Sequence, residues 1–329
     1  SNYTIPKDSC INELNSKETF KIFLLGGSSM AGSGINKNED TISSILEREL
    51  NIKFPRKNIK VFNFAAGGSY TFRQSQIINS EIINFSPNIV LSFDGFNDAF
   101  YWHLEPRRGN KNLDGNNPIP NWADYSYKNY LKNIGLDTPK TGPYVLPYLR
   151  FILKKTGERI LGSKDPWTYS PEYLLSRGKD NSPSKAAFNF YKNIASMALL
   201  TTFSNKNSCF IQILQGDHHH KNYKSPEEEK NLQLWHKNFS KNGEAFSYEK
   251  YKASMLPIYE SYFLILQEDP YLLKDRLRGQ YEWYDYRSLI TNKARNKTTY
   301  LDNIHTNLNG NKIIASSIAE DISSSKCIN

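Results

Sequence analysis

The sequence predicts an α/β fold, a three-layer sandwich in which a parallel sheet of about five strands is covered by helices on both faces. Three observations lead there. Short apolar runs recur along the chain and stop at glycine or at polar clusters. Segments with helical spacing of apolar residues fall between them. The clearest runs are apolar at all but one position, as strands buried on both faces tend to be.

The elements follow in order. Residues 1–19 are polar and irregular, an N-terminal extension. Phe20–Leu25 is the first strand, stopped by Gly26 and Gly27. Thr41–Leu50 places Ile42, Ile45, Leu46 and Leu50 on one helical face, with Asp40 as its N-cap. Ile59–Ala65 is a second strand, again ending at glycines, and Thr71–Asn84 a second helix. Ile89–Phe93, entered through Pro87, is the third strand. A long helix over about Ser184–Ser204 presents Phe188, Tyr191, Ala195, Ala198 and Leu199 on one face. Cys209–Leu214 and Tyr281–Asp285 complete the strands, and Leu308–Ile322 closes the chain as a helix. Two stretches break the rhythm, at about 101–180 and 215–278. Both are weakly periodic and rich in Tyr, Trp, Asn, Lys and Pro. They begin just after the third and fourth strands and read as insertions within a single domain, 20–329. They lie at the carboxyl ends of strands, where open α/β sheets bind ligands.

Composition narrows the partners. The net charge of +9 favours anionic surfaces. The lysines are scattered among asparagines, however, with no arginine-rich block or basic helix, which speaks against nucleic acid. No run approaches the roughly 18 apolar residues of a membrane span. The chain opens on Ser1 rather than Met, as a trimmed chain would, which leaves room for a signal or membrane anchor ahead of it. Cys209 sits in an apolar run and reads as a buried strand residue. Cys10 and Cys327 lie near the two ends. They are either a disulfide, as an oxidising compartment would allow, or two unrelated thiols.

Four segments carry chemistry. Gly26-Gly-Ser-Ser-Met-Ala-Gly32 puts serine at a strand-to-helix turn. Asn63-Phe-Ala-Ala-Gly-Gly68 offers a glycine whose backbone N–H can approach a ligand. Asp94-Gly-Phe-Asn-Asp98 offers the Asn97 amide as a donor to an oxyanion. Asp302-Asn-Ile-His305 pairs a carboxylate with a histidine whose tautomer it can hold. Each alone is an ordinary turn or cap. Their order, most of them placed where a strand should end, is what stands out.

That order resembles the SGNH (GDSL-type) hydrolase superfamily. The resemblance covers residues 21–32, 61–71, 89–99 and 300–315 and is closest at Gly95-Phe-Asn-Asp98 and Asp302-x-x-His305. It implies a flavodoxin-like sheet and a catalytic triad of Ser28, His305 and Asp302. It also implies an oxyanion hole of the Ser28 and Gly68 N–H groups with the Asn97 side chain. No metal or organic cofactor is implied. Ser29 is a rival nucleophile; the spacing Ser28-x-x-x-Gly32 favours Ser28. One departure is plain, since the superfamily's aspartate before the serine is Gly27 here. The activity implied is that of an esterase on O-acyl, above all O-acetyl, groups of a carbohydrate, outside the cytoplasm. An O-acyltransferase on a cell-surface polysaccharide would use the same residues, and a non-catalytic carbohydrate-binding protein could share the fold.

Other features are weaker. Gln215-Gly-Asp-His-His-His220 binds either a metal or substrate, or is a polar loop near the substrate; three adjacent histidines do not face one ion, and no physiological metal is expected. Tyr101, Trp102 and His103 either wall the cleft as substrate-binding residues or form an insertion's own core. Glu227-Glu-Glu229 reads as a solvated helix start.

Overall fold

Five strands form one parallel sheet: β1 (Phe20–Gly26), β2 (Ile59–Asn63), β3 (Ile89–Asp94), β4 (Cys209–Leu214) and β5 (Tyr281–Asp285). Their order is β2-β1-β3-β4-β5, and every neighbouring pair is parallel. This computed structural model describes residues 8–104, 182–205, 207–240, 248–294 and 297–328. The helices are α1 (Asp8–Asn15), α2 (Ile42–Lys53), α3 (Thr71–Ser80), α4 (Phe96–Leu104) and α5 (Pro183–Ser204). After β4 come α6 (Pro226–Ser240), α7 (Tyr248–Glu268), α8 (Leu273–Arg276), α9 (Leu289–Lys293) and α10 (Leu308–Ser324).

The strand order makes the site. From β1 the chain winds outward to β2, then crosses back over β1 to β3 and winds the other way. The loops leaving β1 and β3 therefore part and open a crevice at the carboxyl edge of the sheet. Ser28 follows β1 and Asn97 follows β3, so both stand at that switch point.

Burial explains why the runs are legible. β3 and β4 are buried along their whole length, and β1 after its first residue. The edge strands β2 and β5 are only partly covered. Ile22 and Leu24, Ile89, Leu91 and Phe93, and Ile211 and Ile213 join α2 and α10 in one core cluster. Alternate residues point the other way, where the Phe23 ring lies 5.2 Å from Phe62 and 6.2 Å from Phe85.

Several local expectations are corrected. The extension is not wholly irregular, since Asp8–Asn15 is helical. Asp40 closes a short 3₁₀ turn, and Thr41 caps α2 instead, its hydroxyl accepting from the Ser44 N–H. The helix expected over 71–84 ends at Ser80, and a 3₁₀ turn (Ile82–Phe85) follows. Residues 215–278 carry α6, α7 and α8, and α7 lies in the crossover from β4 to β5. Its buried face is Met255, Ile258, Tyr259, Tyr262, Ile265 and Leu266, a helical period partly hidden because tyrosines supply two of its positions. Tyr262 stacks on Phe190 of α5 at 4.1 Å.

The chain divides into two compact units, residues 1–100 with 187–329 and residues 101–186. The sheet lies wholly in the first. Of the second, residues 101–104 and 182–186 are described; they continue α4 and begin α5. Among the described residues, no helix is long and apolar enough to cross a membrane.

Cys327 is bonded to Cys209, not to Cys10. The reason is geometric. The α10 helix starts near the carboxyl edge, next to His305, and its 17 residues run about 25 Å. That spans the sheet and delivers Cys327 to the start of β4, where Cys209 stands. The side chain of Cys10 lies outside the described residues. Peptide mapping without reductant is expected to recover a Cys209–Cys327 pair, with the Cys10 peptide unlinked. The bond closes 118 residues, so Cys327→Ser is expected to cost about 2–4 kcal/mol of stability, read by denaturant titration. A Cys10–Cys327 peptide would refute the pairing.

Candidate active site

After β1 the chain makes a single tight turn, in which Ala31 N–H donates to the Gly27 carbonyl (3.1 Å) and Ser33 N–H to that of Ser28 (3.0 Å). The turn presents Ser28 to the crevice. Its Oγ lies 2.7 Å from His305 Nε2, and His305 Nδ1 lies 2.7 Å from Asp302 Oδ2. The other Asp302 oxygen accepts from the Ile304 and His305 N–H groups, each at 2.9 Å. Burial opposes the charge on Asp302, but the bonds and charge of His305 and the two backbone donors outweigh it. Its carboxyl is thus held below the ordinary value.

Ser29 turns inward and is only 6% exposed. Its Oγ donates to the Ile304 carbonyl (3.1 Å) and accepts from Gln215 Nε2 (3.1 Å). Of the two adjacent serines, Ser28 meets the imidazole and Ser29 ties the serine turn to the histidine loop.

Gly68 has φ +71°, a left-handed conformation that glycine adopts without strain. Asn97 Nδ2 donates to the carbonyl of the next residue, Ser69, at 2.7 Å. An amide nitrogen has two hydrogens, so this bond aims the group and leaves it a second donor. Gly27 leaves the room that the Asn97 amide uses. A Cβ at that position would lie 2.4 Å from Asn97 Nδ2, so a side chain before Ser28 and this placement of Asn97 exclude each other.

Two carboxylates flank Asn97, Asp94 buried and Asp98 half-buried. Asp98 accepts from Thr71 Oγ1 (2.5 Å) and Thr71 N–H (3.2 Å) at the start of α3. Asn193 of α5 donates to the same hydroxyl at 3.0 Å. Asp94 accepts from Gln74 Nε2 at 2.6 Å and from the Ser92 hydroxyl. Burial pushes Asp94 up to about 6, against the pull of those two donors. Burial, with the nearby charge of Asp94, raises Asp98 well above the ordinary carboxylate range.

In overall fold the chain is similar to several solved structures. One, described as a GDSL-like lipase from Parabacteroides merdae, is 11% identical, with 94% of this chain and 98% of that one covered and a TM-score of 0.48. An acetylxylan esterase from Geobacillus stearothermophilus is 11% identical, over 94% and 96% of the two chains, with a TM-score of 0.48. An α/β hydrolase from the metagenome of Lake Arreo, Spain, is 12% identical, over 96% and 99%, with a TM-score of 0.47. No protein-family model matches the chain, and no curated protein matches it.

Other candidates fare differently. Tyr101, Trp102 and His103 continue α4 beyond Asn97 and Asp98, and the side chains of Tyr101 and His103 lie outside the described residues. The histidines after β4 are interior supports. Asp217 is fully buried and contacts His219 (3.4 Å) and His220 (2.7 Å), while the His218 ring stacks on Tyr300. Among the described residues, no group of three or more His, Cys, Asp or Glu is arranged to hold a metal. Glu227–Glu229 is not a wholly solvated helix start, because Glu228 is buried and paired with buried Lys221 at 2.7 Å. The sequence reading put Gln215 and His218 in a loop near the substrate because they follow a strand, and it missed Lys221 and Glu228 as neighbours of the site. Nothing local marks the inward acid among three.

Asp94 sets a pH dependence of stability. Between 3.8 and about 6 the folded protein keeps a proton that the unfolded chain has released. Its contribution is therefore fully present below that window and is lost as pH rises through it. Asp94→Asn is expected to remove this slope, so that the variant's melting temperature relative to wild type improves as pH is raised across the window. A constant difference would assign the slope elsewhere.

Proposed function

We propose that the chain is a serine esterase that removes O-acyl groups, above all O-acetyl, from a carbohydrate, with Ser28 as nucleophile, His305 as general base and Asp302 as its orienter. The observation that carries the reading is the unbroken run of two 2.7 Å contacts from Ser28 Oγ through the imidazole to the Asp302 carboxylate. That arrangement suits proton removal from a hydroxyl and little else. The carbohydrate alcohol rests on the superfamily resemblance of the strand-end blocks and on the Tyr- and Trp-rich stretch after β3. A setting outside the cytoplasm accords with the Cys209–Cys327 bond.

In this mechanism His305 Nε2 takes the Ser28 proton as Oγ attacks the ester carbonyl. The carbonyl π electrons move onto oxygen, and that oxyanion receives hydrogen bonds from Ser28 N–H, Gly68 N–H and Asn97 Nδ2. Collapse expels the alkoxide, which takes the proton from His305. Water, deprotonated by His305, then releases the acid and restores Ser28. A protonated ring cannot accept the serine proton, so turnover falls in acid.

A fluorophosphonate probe is expected to label the Ser28 peptide, and Ser28→Ala to abolish both labelling and acetate release from acetylated sugars. Ser29→Ala should keep turnover within about tenfold, since it loses support but no reacting atom. Gly27→Ala should displace the Asn97 amide and cost about 10²–10³ in kcat, the usual loss for one oxyanion donor. Full activity in Ser28→Ala would refute the mechanism. Acylated product on an added glycan, without free acetate, would assign the same residues to acyl transfer.

A further inference from the structure

The base loop is held from behind by groups that take no part in the proposed chemistry. Lys221 and Glu228 are 1% and 0% exposed. The Lys221 ammonium donates to both Glu228 oxygens (2.8 and 2.7 Å), to the Lys297 carbonyl (2.6 Å) and to Thr299 Oγ1 (3.2 Å). Glu228 Oε1 accepts from the N–H groups of Thr299 (2.8 Å) and Tyr300 (3.0 Å) and from the Thr299 hydroxyl (2.9 Å). Its other oxygen accepts from Ser225 N–H at 2.8 Å. Next along the loop, the Asp302 carbonyl accepts from His218 Nδ1 (3.1 Å) and the Asn303 carbonyl from His218 N–H (2.9 Å). Several bonds from this cluster thus end on residues 297–303, the segment leading into the Asp302–His305 pair.

A buried ion pair is a weak source of net stability, because desolvation offsets its attraction. What it supplies is direction, since two carboxylate oxygens and an ammonium fix the backbone groups they bind. We propose that the Lys221–Glu228 pair, together with His218, is a positioning device that sets the Asp302–His305 pair at its distance from Ser28. The role rests on the esterase reading, but its structural effect does not depend on turnover. Burial pushes the Glu228 carboxyl up, but bonds from Lys221 and three backbone N–H groups outweigh it and bring it down to about 2. Burial lowers His218 to about 4. At neutral pH the clamp is therefore an ionised carboxylate beside a neutral imidazole, whose Nδ1–H is the donor to Asp302.

The test uses Glu228→Gln, which keeps the volume and removes the charge, and His218→Phe, which keeps a ring against Tyr300 and removes the donor. Three readouts are compared with wild type well below the melting temperature: kcat against KM for an acetyl ester, the rate of fluorophosphonate labelling of Ser28, and the low-field proton NMR resonance of the His305–Asp302 hydrogen bond. Each variant is expected to lose about 10- to 100-fold in kcat and in labelling rate, the scale of a small misplacement of catalytic groups. KM should stay within twofold, and the low-field resonance should shift or broaden. A merely structural role would lower the melting temperature and leave kcat and the resonance alone, and that result overturns the proposal. Should Glu228→Gln not fold, His218→Phe decides by the same criteria. If wild type is neither labelled nor active, the esterase reading fails instead, and the resonance alone still reports whether the clamp positions the pair.

Discussion

Ser28 and His305 are 277 residues apart in sequence and 2.7 Å apart in space, and much of the described structure serves to close that gap. The serine side is solved by the sheet, because β1 is buried in its interior and its end is held by β2 and β3. The histidine side has no strand beneath it. Its loop is a short reversal in which Leu301 N–H donates to the His305 carbonyl (2.8 Å) and Tyr300 bridges Thr306. Such a loop has little register of its own. It takes position from its partners: Glu228 and His218 on one flank, Ser29 on another, and the Asn307 cap of α10 at its exit.

The Asn97 side follows a related logic. Asn97 opens α4 at the end of β3, and its amide is anchored to Ser69. Asp98, one residue on, binds the start of α3 through Thr71. Consecutive residues of one strand end thus grip the turn that carries Gly68, so the two expected donors are set relative to each other by side chains rather than by the sheet alone. Gly27 completes the arrangement by leaving space. A side chain at that position would meet the Asn97 amide, which stands where its Cβ would be.

Both halves depend on buried or half-buried polar groups that are satisfied by partners distant in sequence. Glu228 reaches Thr299 across 71 residues and Asp98 reaches Thr71 across 27. An unsatisfied group at such a depth would cost about 1–3 kcal/mol, which makes these contacts demanding and also directional. Asp217 is buried as well, but its partners His219 and His220 are near neighbours in the chain. The segment after β4 that reads as a polar loop is in fact an interior lining of the site.

The sequence by itself determined the sheet and the residues that meet at its carboxyl edge. Cys209–Leu214 and Tyr281–Asp285 appear as read, and the other three strands differ only at their ends; for β1, β3 and β4 the reason is burial on both faces, which forces a largely apolar run that needs no partner to be recognised. Ser28, Asn97 and the Asp302–His305 spacing were legible because they stand at the ends of those runs or lie within one turn of each other. What the tertiary structure alone decided is pairing across the chain. Cys327 joins Cys209 because α10 is long enough to cross the sheet, which no count of cysteines reveals. Glu228 is the inward acid of three, and Tyr259 and Tyr262 fill a helical face that looked polar. In each case the side chain's identity left its burial open, and the neighbour that settled it arrives from a different part of the fold.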